Sequence, residues 1–191
     1  MDSSTSTTSR HRQRGVTMAE LAVVSAIGVT LVAAAAPDFS VFVANAQLRT
    51  ASEDLRRALR LAQIEAIKRQ APVELVLTAQ QPHDAAVVPA PDGRNWVVRA
   101  QQADGGYELI RSSAGAVSTL QIQSQRSVFA FDPFGRLRAD SLGNPAPERK
   151  QLIDLADRDA RGRPLRVVVS PAGSTSSCDP RASREDPLHC G

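Results

Sequence analysis

Histidine and cysteine are scarce in this chain, charge is nearly balanced, and each of these shortages closes off a class of chemistry. The three histidines, His11, His83 and His189, are too scattered to share a metal or to serve a neighbouring nucleophile. The two cysteines, Cys178 and Cys190, have eleven residues between them, which rules out a CxxC redox or zinc spacing. The formal net charge is +3 with a pI near 9.4, yet residues 1–15 hold Arg10, Arg12 and Arg14 against Asp2 alone, so the remainder carries 20 basic and 19 acidic residues. That balance gives no global argument for a nucleic-acid partner. No Gly-rich phosphate loop and no G-x-S-x-G nucleophile context occurs. Asp154, Asp157 and Asp159 lie close together, but without the glycine and final glutamate of a calcium loop they are expected in a solvated loop. The expectation is a protein with no catalytic residue, no metal and no cofactor. At 42% hydrophobic residues, the chain has ordinary material for one packed domain plus additional segments.

What the chain does have is a long apolar run. A polar leader rich in Ser and Thr ends in His11-Arg12-Gln13-Arg14-Gly15, and Val16 to Ala36 then continues for 21 residues with one charge, Glu20. About 20 apolar residues at ~1.5 Å each cross a bilayer core of ~30 Å. The arginines before the run are expected to hold that end in the cytoplasm and leave the rest of the chain outside. A carboxylate within such a segment costs on the order of 2.5–3.5 kcal/mol on insertion scales, which marks Glu20 as functional. An ordinary membrane anchor and a secretory signal cut after Ala44-Asn45-Ala46 are the competing readings; the second needs an apolar core longer than usual.

Arg14-Gly15 followed by Val16-Thr17-Met18-Ala19-Glu20 resembles the class III signal of type IV prepilins. That resemblance implies cleavage between Gly15 and Val16 by prepilin peptidase, N-methylation of Val16, and a filament-assembly role for Glu20. There the carboxylate would pair with the α-amino group of a neighbouring subunit and neutralise both charges in an apolar bundle. Pro37 stands where many pilins carry a helix-kinking proline. Val16, Met18 and Ala19 depart from the usual residues but keep the apolar character.

Beyond Pro37 no glycine or further proline occurs until past Gln70, and Leu48, Ser52, Leu55, Ala58, Leu59, Ala62 and Ala66 recur at three- and four-residue steps. This is the core stripe of an amphipathic helix. Arg49, Glu53, Arg56, Arg57 and Arg60 fall off the stripe and are expected to be solvated, with Glu53–Arg57 and Glu65–Arg69 in the favourable i, i+4 order. The run from Leu55 to Val73, ending Glu65-Ala66-Ile67-Lys68-Arg69-Gln70-Ala71-Pro72-Val73, resembles the GspH/FimT branch of the pilin-like proteins, with Gln63 where that pattern usually has arginine. Strands are expected at Val73–Thr78, Trp96–Gln101, Tyr107–Arg111, Val117–Ile122, Val128–Phe131, Leu152–Leu155 and Leu165–Ser170, with Gly105-Gly106 turning a hairpin. Loops are expected at Gln80–Arg94 and Ala139–Lys150, and a Ser-rich turn from Ser170 to Ser177. Phe131-Asp132-Pro133-Phe134-Gly135 resembles the family's strand-turn element, whose glycine suits a positive φ. Trp96 is expected in the core.

The expected fold is α+β: a long N-terminal pilin helix whose hydrophobic half protrudes and whose C-terminal half packs on an antiparallel β-sheet domain. Its divisions are 1–15 leader, 16–36 transmembrane or filament-core helix, 37–70 amphipathic continuation, and 71–191 periplasmic β-rich domain. In the periplasm Cys178 and Cys190 are expected to form a disulfide. The resemblance implies a minor type IV pilin, first held in the inner membrane by a single pass and then built into a filament with other pilins. A minor pseudopilin of type II secretion is the first alternative and a pilus-associated DNA receptor the second. The receptor element of some relatives is a C-terminal Gly-Arg-x-Arg, whereas here Gly173 leads into Ser174-Thr175-Ser176-Ser177, so DNA is the less favoured partner.

Overall fold

The computed structural model describes residues 16–113, 115 and 119–190, with backbone alone for 32–38. One helix, α1 (Met18–Arg69), is followed by eight strands among the described residues. These are β1 (Val73–Thr78), β2 (Asn95–Gln101), β3 (Tyr107–Ser112), β4 (Leu120–Ser124), β5 (Val128–Phe131), β6 (Gln151–Asp157), β7 (Leu165–Val169) and β8 (Thr175–Cys178). The chain divides into a unit ending at Phe39 and a unit from Ser40 to Gly191.

In the second unit, the helix forms because its apolar residues return every three or four positions. Leu48, Ser52, Leu55, Ala58, Leu59, Ala62 and Ala66 are all buried, so the stripe read from the sequence is the face that packs. Small residues at Ala58, Ala62 and Ala66 let the strands approach closely, and each leucine so buried contributes about 1.5–3 kcal/mol. Glu53–Arg57 (3.0 Å) and Glu65–Arg69 (2.8 Å) form the expected pairs on the outer face. The helix stops at Gln70, whose φ of 52° lies in the left-handed region. Its side-chain Nε2 donates to the Ile67 carbonyl, and Pro72 bars any continuation.

The strands form two antiparallel sheets where the sequence suggested one: β3-β2-β1-β5 and β4-β6-β7-β8. Both turn an apolar face to α1. Val73, Leu75 and Leu77 of β1, Phe129 and Phe131 of β5, Ile153 and Leu155 of β6, and Val167 and Val169 of β7 join the helix stripe in one core. Three placements differ from expectation. β8 falls where a Ser-rich turn was read; a strand of Thr175-Ser176-Ser177-Cys178 has no apolar alternation to betray it and is specified by its pairing with β7. β4 runs on to Ser124, past the expected end at Ile122, with Leu120 and Ile122 facing the core; Val117 and Ser118 of the expected strand lie outside the described residues. Asp154 and Asp157 are not in a solvated loop but on β6, where they bind Arg166 (2.6 Å) and Arg161 (3.4 Å).

The first sheet is covered on both faces. Away from α1, Val76, Val97 and Val128 pack with Val87 and Leu109. Beside them Arg99, directly opposite Glu74 in register, makes a buried ion pair of 3.1 Å. Arg99 also donates to the Ala85 carbonyl, Ser141 donates to Glu74 through both N–H and hydroxyl, and Tyr107 lies under the guanidinium at 3.8 Å. The two long loops thus act as a lining over a charged pair whose remaining valences they satisfy. At the far side the sheets are stitched together: Leu137 N–H donates to the Pro171 carbonyl, and Gln63 of α1 donates to the Gly135 carbonyl at 2.8 Å.

Candidate assembly surfaces

The first unit presents an extended apolar surface. Val16, Met18, Leu21, Val23, Val24, Ile27, Val29 and Leu31 are each more than half exposed, and at 100° per residue they fall on every side of α1 rather than on one stripe. An apolar patch of this extent calls for a covering partner or an apolar medium. The polar side chains within it are consistent with such surroundings. The Ser25 hydroxyl donates to the Leu21 carbonyl at 2.7 Å, and Thr30 donates to the Ala26 and Ile27 carbonyls, so neither needs water.

Glu20 sits in the first turn. Thr17 caps the helix: its hydroxyl accepts from the Glu20 N–H at 3.2 Å and its carbonyl accepts from the Leu21 N–H at 3.0 Å. Thr17-Met18-Ala19-Glu20 is thereby a capping-box sequence, with the acidic side chain where the positive end of the helix dipole favours it. Among the described residues no side chain pairs with the Glu20 carboxylate. Val16, 66% exposed, precedes the cap. Gly15 lies outside the described residues, as do the leader and the side chain of Pro37, which falls within α1. Among the described residues no helix is long and apolar enough to cross a membrane; the apolar run continues into the stretch described by backbone alone.

Within the second unit, Cys178 and Cys190 are joined by a disulfide, their Cα atoms 5.1 Å apart. The loop it closes is further fixed by Asp179 N–H donating to the Leu188 carbonyl and by the Arg163–Asp179 pair at 3.4 Å. Among the described residues no group of three or more His, Cys, Asp or Glu side chains is placed to hold a metal ion.

One surface was not read from the sequence. A cleft of about 480 Å³ runs between α1 and the ends of both sheets. Its helix wall is Val43, Gln47, Thr50, Asp54 and Leu61, one step around from the core stripe, with Ala58 shared by both; Trp96, Arg111, Leu120 and Ile122 complete it. Trp96 is therefore only partly in the core and partly a cleft residue. The signal was present in the second apolar series at helical spacing, but the polar members Gln47, Thr50 and Asp54 hide it among solvated residues.

A family profile described as Type II transport protein GspH matches residues 51–173, well over half of the chain. The chain belongs to the GspH family. Its fold is that of a pilin-like protein. The crystal structure of the type IV minor pilin FimU from Pseudomonas aeruginosa aligns with this GspH-family chain at a TM-score of 0.52 and 17% identity, covering 71% of this chain and 90% of that one. The minor pseudopilin EpsH of the type 2 secretion system of Vibrio cholerae aligns at a TM-score of 0.47 and 12% identity, covering 71% and 99%. No curated protein matches the chain by sequence.

Proposed function

We propose that the chain is a minor type IV pilin, a structural subunit without catalytic activity that enters a filament through its N-terminal helix. The observation that carries this reading is a helix apolar on every side, with one carboxylate in its first turn, leading into a GspH-family domain. In this reading prepilin peptidase cuts after Gly15, Val16 becomes the methylated N-terminus, and the chain rests in the inner membrane with residues 71–191 in the periplasm. Extracted from the membrane, the apolar helix packs among those of other pilins, and Glu20 sets the axial register by pairing with a neighbour's α-amino group. Pro37 allows the helix to bend between the part in the bundle and the part that carries the domain. The family description favours a second reading, a minor pseudopilin of a type II secretion machine built with the same helix.

Mass spectrometry of the N-terminal peptide, on filaments sheared from cells and on the remaining membranes, tests both. A start at N-methylated Val16 in sheared filaments supports the pilin. The same start confined to membranes favours the pseudopilin. An uncut leader or a start at Gln47 refutes the pilin-like processing altogether.

A further inference from the structure

Near the C-terminal end of α1 the outer face turns apolar. Ile64 and Ile67 are 49% and 44% exposed, and with Arg60 they stand at i, i+4 and i+7 on one face of the helix. The turn after β5 lies beside them: Gln63 donates to the Gly135 carbonyl at 2.8 Å, and a methyl group at Gly135 would come within 2.9 Å of Ile67 Cδ1. This turn holds Phe134 outward, 77% exposed. Its form is fixed without the ring. The Asp132 carboxylate accepts from the Phe134 and Arg136 N–H groups at 2.9 Å each, the Gly135 N–H donates to the Asp132 carbonyl, and Pro133 sets its own φ. Arg136 reaches over the ring at 5.6 Å. An aromatic side chain on a rigid support loses little freedom when covered, and such residues carry much of the energy of protein interfaces.

Charge gives the sign of the partner. The Lys68 and Arg136 side chains are 72% and 64% exposed, whereas the carboxylates paired with them, Glu65 and Asp132, are 13% and 21% exposed. Arg60 is exposed and meets no carboxylate among the described residues. Arg56, one turn earlier, bonds to the Ser177 hydroxyl at 3.4 Å and to no carboxylate among the described residues. Glu53 and Asp54 on the turn before are both held by Arg57. A partner approaching Ile64, Ile67 and Phe134 therefore meets cations, including two arginines at i, i+4 whose repulsion a carboxylate would relieve. The backbone gives its shape. The N–H and C=O groups of α1 are spent within the helix, so this face offers side chains alone. A segment laid on it must satisfy its own backbone, and a second helix does so while packing a row of side chains against the i, i+4 row of α1.

We propose that Ile64, Ile67 and Phe134 form a docking surface for an amphipathic helix of another protein, one whose apolar stripe is edged by Asp and Glu. The stripe covers the two isoleucines and packs on the Phe134 ring, and its carboxylates meet Arg60, Lys68 and Arg136. The surface belongs to the domain and stands whether or not the chain enters a filament.

The test is a photo-crosslink in the cells that make the full chain, with p-benzoylphenylalanine in place of Phe134 and, as a control, in place of Leu188, 49% exposed in the disulfide-closed loop. Irradiation is expected to join position 134 to one peptide of another protein. Sequencing of that peptide is expected to show apolar residues at helical spacing with two or more Asp or Glu beside them. Arg60→Glu is expected to lower the yield at least ten-fold, and replacing the captured carboxylates with Lys to restore it. No crosslink at position 134, or the same peptide captured from position 188, overturns the surface. Capture of lipid, of a second copy of this chain or of a peptide without carboxylates overturns the choice of partner, as does a yield that Arg60→Glu leaves unchanged.

Discussion

Gly173 offers a measurement in which strain and collision separate. Its φ is +85°, and a methyl group there would overlap the Gly135 carbonyl oxygen and the amide nitrogen of Gln63. Gly143 has nearly the same φ, +84°, but a methyl there meets nothing within 4 Å. Both Gly→Ala changes therefore carry the same left-handed strain, about 1–2 kcal/mol, and the same offsetting loss of unfolded-state freedom, about 0.4–1 kcal/mol. Gly143→Ala should cost about 0–1.6 kcal/mol. Gly173→Ala must in addition push apart the turns at Gly135 and Gly173 and break the 2.8 Å bond from Gln63. That bond is worth about 0.5–1.5 kcal/mol, and displacing packed backbone a further 1–3 kcal/mol. A difference of about 1.5–4.5 kcal/mol between the two variants follows. For a chain of this size it is read as a melting point lower by roughly 3–18 °C, followed by Trp96 emission in the full chain. If the two variants melt within 2 °C of each other, the seam between the sheets is not packed as described.

The buried pair should show asymmetry: Glu74→Gln or Arg99→Met alone is expected to cost about 3–5 kcal/mol, and the double change clearly less than the sum, by denaturant melts. The carboxyl of Glu65 is held below its ordinary 4.5 chiefly by hydrogen bonding to Arg69, as is that of Glu108. Their folded pKa values are depressed, so the stability they supply is complete above pH 4.5 and is lost as pH falls through the lowered values. Arg69→Gln should flatten that acid limb of a stability profile while leaving its slope above pH 6 unchanged. Cys178→Ser with Cys190→Ser should lower stability by about 3 kcal/mol by loop entropy. Wild-type stability should fall to match when reductant is added, and no difference between oxidised and reduced protein would contradict the linkage's role.

Legibility followed periodicity. Where a residue's neighbours were local in sequence, as on the α1 stripe from Leu48 to Ala66, spacing alone located the buried face; β1 and β5 were legible as strands, but not as strands buried on both faces. It failed where partners were distant. β8 is a strand because β7 lies beside it, not because serine favours one. Glu74 and Arg99 are 25 residues apart and meet only through sheet register, so nothing near either of them announces a buried charge. The cleft is harder still, since its lining comes from α1, β2, β3 and β4, segments far apart in the sequence. At the N-terminus the case is reversed: Glu20 stood out from sequence alone because a charge in an apolar run is rare, while the structure adds Thr17 as its capping partner.

The helix hydroxyls have a consequence for the surroundings that such a segment tolerates. Ser25 and Thr30 take their acceptors from the turn below, so this stretch carries its hydrogen bonding with it. Moved from one apolar environment to another, it leaves no partner behind at these positions and seeks none on arrival. Glu20 differs, because among the described residues its carboxylate accepts from no donor. A lipid bilayer and a bundle of neighbouring helices are nearly equivalent to the rest of the stretch, and the carboxylate is the group that tells them apart.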